Sequence, residues 1–230
     1  MPNNLHAARA FAMREIACRL ESVVELRHAL VPTVVLGLRV STSQPVSGID
    51  LRCQIMIDVP DRAHSGAERS RLTRLYSETA GDAAPLRPLL WAQASANAPA
   101  FDRQCNVDLT VPVSFDFDLA VTKYMHGSDA DAIPLRLQFS GMIFYRDARE
   151  QLQLVRVPGT TEAGGLLPLR VVQSLRDRYY PNSAWLRMPQ ATFDRLRAYK
   201  HRAGLPSWES ALDRLLDAAD EANRITERAR

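Results

Sequence analysis

Three cysteines, Cys18, Cys53 and Cys105, are the side chains of this chain best suited to hold a soft metal or to act as nucleophiles. A thiolate site would need them deprotonated, gathered at one end of a fold, and completed by a fourth ligand. They are far apart in sequence, without a CxxC, and each falls on the apolar side of an alternating segment. The expectation is three small buried hydrophobes and no metal centre. The histidines, at positions 6, 28, 64, 126 and 201, form no i, i+4 pair and no HExxH, so they are expected at the surface. Asp116, Asp118, Asp129 and Asp131 are hard oxygen donors of the kind calcium takes. They lack the glycine-marked twelve-residue loop, and a solvated face is the expected outcome. As a glycosidase pair they also fail, because two carboxylates on one strand face do not flank a substrate.

The segment from Arg170 to Arg202 has a different chemistry. Arg170, Arg176, Arg178, Arg187, Arg195, Arg197, Lys200 and Arg202 stand against only Asp177 and Asp194, with Tyr179, Tyr180, Trp185 and Tyr199 interleaved. Arginine with aromatics suits a protein-binding hot spot. It also suits single-stranded nucleic acid, but no helix-turn-helix or RNP pattern accompanies it. A plainer reading has the arginine stems covering a core while the heads stay in water. Tyr179, Tyr180, Asn182, Trp185, Arg187, Arg195, Tyr199 and Lys200 are taken as the candidate partner-binding set. No GxSxG, P-loop, Rossmann glycine pattern or kinase set is present, so neither an enzyme nor a cofactor is expected.

The elements that must position these residues are strands first and helices later. In Cys105–Leu119 every odd position is apolar and every even one is not, the period of a half-buried strand. Pro112 within it predicts an edge, a bulge or a change of sheet. Alternation also predicts strands over Thr33–Ser41, Leu51–Val59, Leu135–Arg146 and Gln151–Val157, with Gly141 at a bulge or a close backbone approach. A strand is favoured within Phe11–Leu30 and another over Leu89–Ala94. Ala67–Glu78 reads as a short basic helix capped by Ser65. VTKYMHGSDADAIP is a connection ending at Pro134, and PGTTEAGG a flexible break. Helices are predicted over Pro168–Arg178, Pro189–Ala203 and from Ser207 onward, the last with Trp208, Ala211, Leu212, Leu215, Leu216 and Ala219 as its apolar stripe and a fraying tail from Asp220.

The fold expected is therefore α+β: a β-sandwich-like antiparallel body over residues 11–157 with a short inserted helix. A flexible leader (1–10) precedes it. A loop (158–166) and a helical segment (167–230) packed on the sandwich follow. The 230 residues, 46% hydrophobic and 24% charged with net charge +3, are those of an ordinary globular protein too weakly basic to imply nucleic acid. The odd cysteine count, the absence of an uninterrupted apolar h-region near the N-terminus and the lack of a long apolar run together predict a cytoplasmic protein that does not engage the membrane.

Three blocks resemble one bacterial family of unknown function: LRCQIMIDVPDRAHSGAERSRLTRLY, PLRLQFSGMIFYR, and RYYPNSAWLRMPQATFDRLRAYKHRAGLPSWESALDRLL. The likeness runs from about Thr33 to Leu216 and is most specific from Tyr180 to Leu216. Members of that family are encoded beside actinobacterial-type high-affinity nickel–iron hydrogenases. The resemblance thus implies a non-catalytic accessory protein in hydrogenase assembly, maturation or regulation, acting on a hydrogenase subunit or maturation factor by protein–protein binding. The family brings no catalytic residues with it. A hydrogenase subunit itself is excluded, since the paired CxxC motifs and the cluster cysteines are missing. A different class of function is a small apolar ligand held between the sheets by residues such as Trp91, Phe115 and Phe139. Self-association through a strand edge is open on the same residues.

Overall fold

The computed structural model describes residues 16–61, 65–76, 87–113, 121, 124, 127–182 and 188–228. The chain forms two compact units, Met1–Asn182 and Ser183–Arg230. The first holds all the described strands. β1 (Ile16–Glu25), β2 (Thr33–Thr42) and β5 (Gln104–Pro112) make a three-stranded sheet in the order β1-β2-β5. β3 (Gly48–Ile57), β4 (Leu89–Ala98), β6 (Ala132–Arg146), β7 (Leu152–Arg156) and β8 (Glu162–Pro168) make a five-stranded sheet. Every pairing is antiparallel. β4 lies beside β5 and β8 beside β1, so the two sheets approach each other along both margins. This is the expected α+β sandwich.

Period-two alternation becomes a core because each strand turns its apolar face inward. Leu36, Leu38, Leu51, Ile55, Leu109 and Leu137 are all fully buried between the sheets. Each contributes about 2 kcal/mol by leaving water. β5 is shorter than its alternation suggests. It ends at Pro112, opposite Thr33 and on the free edge of its sheet, where a missing N–H costs no ladder bond. Phe115, Asp116, Phe117 and Asp118 lie outside the described residues.

The strand that organises the body is instead β6. Along one side it pairs with β3 from Gly48↔Phe144 to Ile57↔Leu135. Along the other it takes two strands end to end, β7 against Met142–Arg146 and β8 against Ala132–Gln138. Pro134 falls inside β6 rather than before it, at the level where β3 has just ended, and its carbonyl accepts the Asp58 N–H at 2.8 Å. Gly141 has φ +139°, and a Cβ there would overlap the Asp50 carbonyl oxygen on β3. Only glycine lets the two backbones approach so closely.

The expected loop at 158–166 is a loop only as far as Thr161, and β8 begins at Glu162. Gly165, read as a source of flexibility, is where β8 passes β1: a Cβ there would overlap the Leu20 side chain. Helix α1 (Gly66–Tyr76) has the Ser65 hydroxyl accepting the Glu68 N–H at 3.2 Å, the expected N-cap, and buries Leu72. Val121 and Tyr124, in the expected connection, are helical and fully buried. Asp58 is 4% exposed and receives Arg136 Nε and Nη2 on one oxygen at 2.7 and 2.6 Å.

Candidate protein-binding site

Helix α2 (Leu169–Tyr179) positions the most specific surface of the first unit. Val171, Val172 and Leu175 share one face and enter the core. Pro168 ends β8 and precedes the helix with φ −64°, ready for its first turn. The Leu169 N–H finds the Asp131 carbonyl at 2.9 Å. Arg176 and Arg178 fall in the last turn, where cations suit the helix dipole. Pro181 prevents continuation and Asn182 adopts φ +53°, a left-handed conformation that asparagine tolerates.

The polar residues of α2 grip the hairpin between β1 and β2. The Ser174 hydroxyl donates to Glu25 Oε2 at 2.7 Å, and Arg178 Nη2 donates to Glu25 Oε1 at the same distance. Glu25 is only 16% exposed, so both bonds are sheltered on the carboxylate side, while the Arg178 side chain itself stays open to water. The Tyr179 hydroxyl donates to the Ala29 carbonyl at 2.7 Å. At the foot of the turn the Leu26 N–H bonds the Thr33 carbonyl, and the Thr33 hydroxyl bonds the Val31 carbonyl.

What the anchored turn presents is apolar. Val24, Leu26 and Val31 are exposed and Leu30 wholly so, flanked by Arg27 and His28. A single exposed leucine is ordinary; here four aliphatic side chains are exposed at one hairpin end. Because the helix holds the turn, little ordering entropy would be lost on docking.

The eight candidate residues separate on this geometry. Tyr179 is half-buried and committed to Ala29, a positioning role rather than a contact. Tyr180 and Asn182 are exposed at the end of α2. Trp185 and Arg187 lie outside the described residues. Arg195, Tyr199 and Lys200 belong to the second unit, on helix α3 (Gln190–Arg202). There Arg195 is exposed, Tyr199 is half-buried, and Lys200 Nζ stands 5.4 Å from the ring centroid of Trp208. The basic–aromatic run is thus divided between two units. The hairpin end was not among the candidates. Its signal, Leu26, Leu30 and Val31 just before Pro32, merged into the ambiguous apolar stretch before Thr33.

The other chemical candidates resolve as follows. Cys18 is level with Val40, and Val40 with Cys105, across the three-stranded sheet. Burial pushes the Cys18 and Cys53 thiols up to about 12, with a further rise from Cys105 on Cys18 and from Cys18 on Cys53. Both are core thiols. Asp129 is held by Arg71 Nη2 on both oxygens at 2.9 Å, which ties α1 to the segment before β6. Asp147 closes the β6–β7 turn: N–H groups of Gln151 and Arg149 hold its carboxyl below the usual range. His28 and His201 are exposed. Phe139 packs in the core and Trp91 is partly buried against it.

Fold and surface together define an α+β protein in which an antiparallel sandwich displays a clamped apolar hairpin. Over residues 13–224 the chain matches a family of unknown function (DUF6084), and it belongs to that family. No curated protein and no solved structure matches it. Among the described residues no helix is long and apolar enough to cross a membrane.

Proposed function

We propose that this chain is a non-catalytic accessory protein that binds another protein through the β1–β2 hairpin end, with Tyr180 and Asn182 at its side. The observation carrying this reading is the clamp of Ser174, Arg178 and Tyr179, which holds Leu26, Leu30 and Val31 out in water. Such an apolar end, held before binding, fits a partner with an apolar pocket and carboxylates to meet Arg27. The likeness of the sequence blocks to a hydrogenase-linked family gives the partner its class: a nickel–iron hydrogenase subunit or maturation factor.

The test is capture from a hydrogenase-producing host with the tagged full chain, comparing wild type with Leu30→Asp, Val31→Asp. Both side chains point into solvent, so the variant keeps its circular dichroism and melting. Near-stoichiometric capture of a hydrogenase subunit or maturation factor, lost in the variant, supports the reading. Normal capture by the folded variant removes the hairpin from the site. Absence of any hydrogenase component with wild type removes the partner class.

A further inference from the structure

Strand β7 (Leu152–Arg156) closes one end of the five-stranded sheet, and among the described residues it pairs with β6 alone. The direction of its backbone groups follows from the bonds at the two ends of that pairing. The Asp147 N–H meets the Gln151 carbonyl, and the Val157 N–H meets the Gly141 carbonyl, both at 3.0 Å. Bonded positions recur at every second residue of an antiparallel pair, so Gln151, Gln153, Val155 and Val157 turn their backbone groups to β6. The N–H and C=O groups of Leu152, Leu154 and Arg156 therefore point away from it, along the free edge. The side chains of these residues lie on the outer face of the sheet: Leu152 is 59% exposed, Leu154 58%, and Arg156 is exposed as well. Natural edges are ordinarily guarded by charge, proline or a bulge. The run from Leu152 to Val155 holds no charge and no proline, and its register on β6 is unbroken.

We propose that a second copy of this chain adds its own β7 to this edge, antiparallel about a two-fold axis at Leu154, so that the two five-stranded sheets become one. The edge itself identifies the occupant. Donors and acceptors that repeat every second residue, about 7 Å apart, are matched along their length only by another extended chain. Leu154 is the midpoint of β7, and Leu152 and Arg156 lie symmetrically about it. The axis sets Leu154 opposite its own counterpart and Leu152 opposite Arg156 of the second copy, so each outward N–H meets an outward C=O. A register shifted by one residue would set Leu154 against Val155, whose backbone groups β6 has already taken. A shift by two pushes one outward residue of each copy past the end of the strand. The edge is therefore complementary to itself in one register, as a two-fold contact requires. That register also aligns Phe144 and Leu154, which are opposite each other on β6 and β7, with their counterparts in one apolar row across the axis. The two Arg156 side chains fall at opposite ends of the contact, each opposite a leucine rather than the other arginine.

Sedimentation of the full chain over a wide micromolar range tests this without any hydrogenase component, so its outcome is separate from that of the capture experiment. A dimer is expected. Leu154→Pro removes an N–H that β6 does not use, and should raise the dissociation constant at least about tenfold with the sandwich still folded by circular dichroism. Leu154→Lys keeps that N–H but sets two cations on the axis, and should weaken the dimer as well. Leu154→Cys should give a disulfide-linked dimer on mild oxidation, because bonded pairs hold their Cα atoms about 5.5 Å apart. Leu152→Cys, four residues out of level with its counterpart, should not. A monomer at all concentrations overturns the proposal. So does an assembly larger than two, or a dimer that a folded Leu154→Pro or Leu154→Lys variant forms as tightly as wild type. Cross-linking through Leu152→Cys as readily as through Leu154→Cys, or through neither, overturns the register.

Discussion

The two units treat the same kind of residue in opposite ways. In the sandwich, leucines spaced by two are shut between sheets, and Leu36, Leu51 and Leu137 are inaccessible to water. In helix α4 (Trp208–Arg228), leucines spaced by three and four lie open along the helix. The first pattern supplies stability within the chain. The second supplies almost none. An apolar periodicity identifies the element, but the packing around it decides whether that face is core or contact.

The largest effect should come from the first unit's tightest point. Gly141→Val requires a side chain at φ +139° where the Asp50 carbonyl already sits. A loss above about 4 kcal/mol is expected, seen as failure to fold or a collapse of the denaturation midpoint. Next comes a matched pair of leucines. Leu137→Ala should cost about 2–5 kcal/mol by leaving a cavity, whereas Leu216→Ala should leave the unfolding of the sandwich within about 0.5 kcal/mol. Similar losses in chemical denaturation would erase the contrast between the units.

The buried thiols sharpen it further. A folded value near 12, against the usual 9, means the unfolded chain releases these protons first. Stability is therefore full below pH 9 and falls as pH rises from 9 towards 12, by up to about 1.4 kcal/mol per pH unit for each thiol. Cys53→Ala should flatten that decline in urea titrations at successive pH values. A small and local effect belongs to the hairpin clamp. Tyr179→Phe removes one hydrogen bond to Ala29, worth about 1 kcal/mol, and should raise amide exchange in residues 26–32 while β5 and β6 stay protected. Unchanged exchange there would mean that the turn holds itself.

Local chemistry made much of this structure legible. The alternation of Thr33–Ser41 and Leu51–Val59, the Ser65 cap and the ends of the helices expected over Pro168–Arg178 and Pro189–Ala203 all depend on a few neighbouring residues, and they appear close to where they were expected. The α4 helix runs past Asp220 to Arg228 because the tail is rich in helix-forming residues and holds no breaker. Composition misled at Gly164 and Gly165, which read as flexibility and form part of a strand; at Gly165 the reason for glycine lies on β1, where the Leu20 side chain leaves no room for a Cβ.

The sequence by itself determined which segments alternate, where helices start and stop, and that the cysteines lie on apolar faces; these follow from backbone periodicity and capping, which are local. Only the tertiary structure decided that β6 would join three strands, that Glu25 would meet Ser174 and Arg178, and that the basic–aromatic run would be split between two units. Those outcomes depend on contacts between residues separated along the chain, 149 and 153 positions apart for the two Glu25 bonds, which no local pattern encodes. Tertiary packing also left Leu30 and Leu216 in water while it buried Leu137.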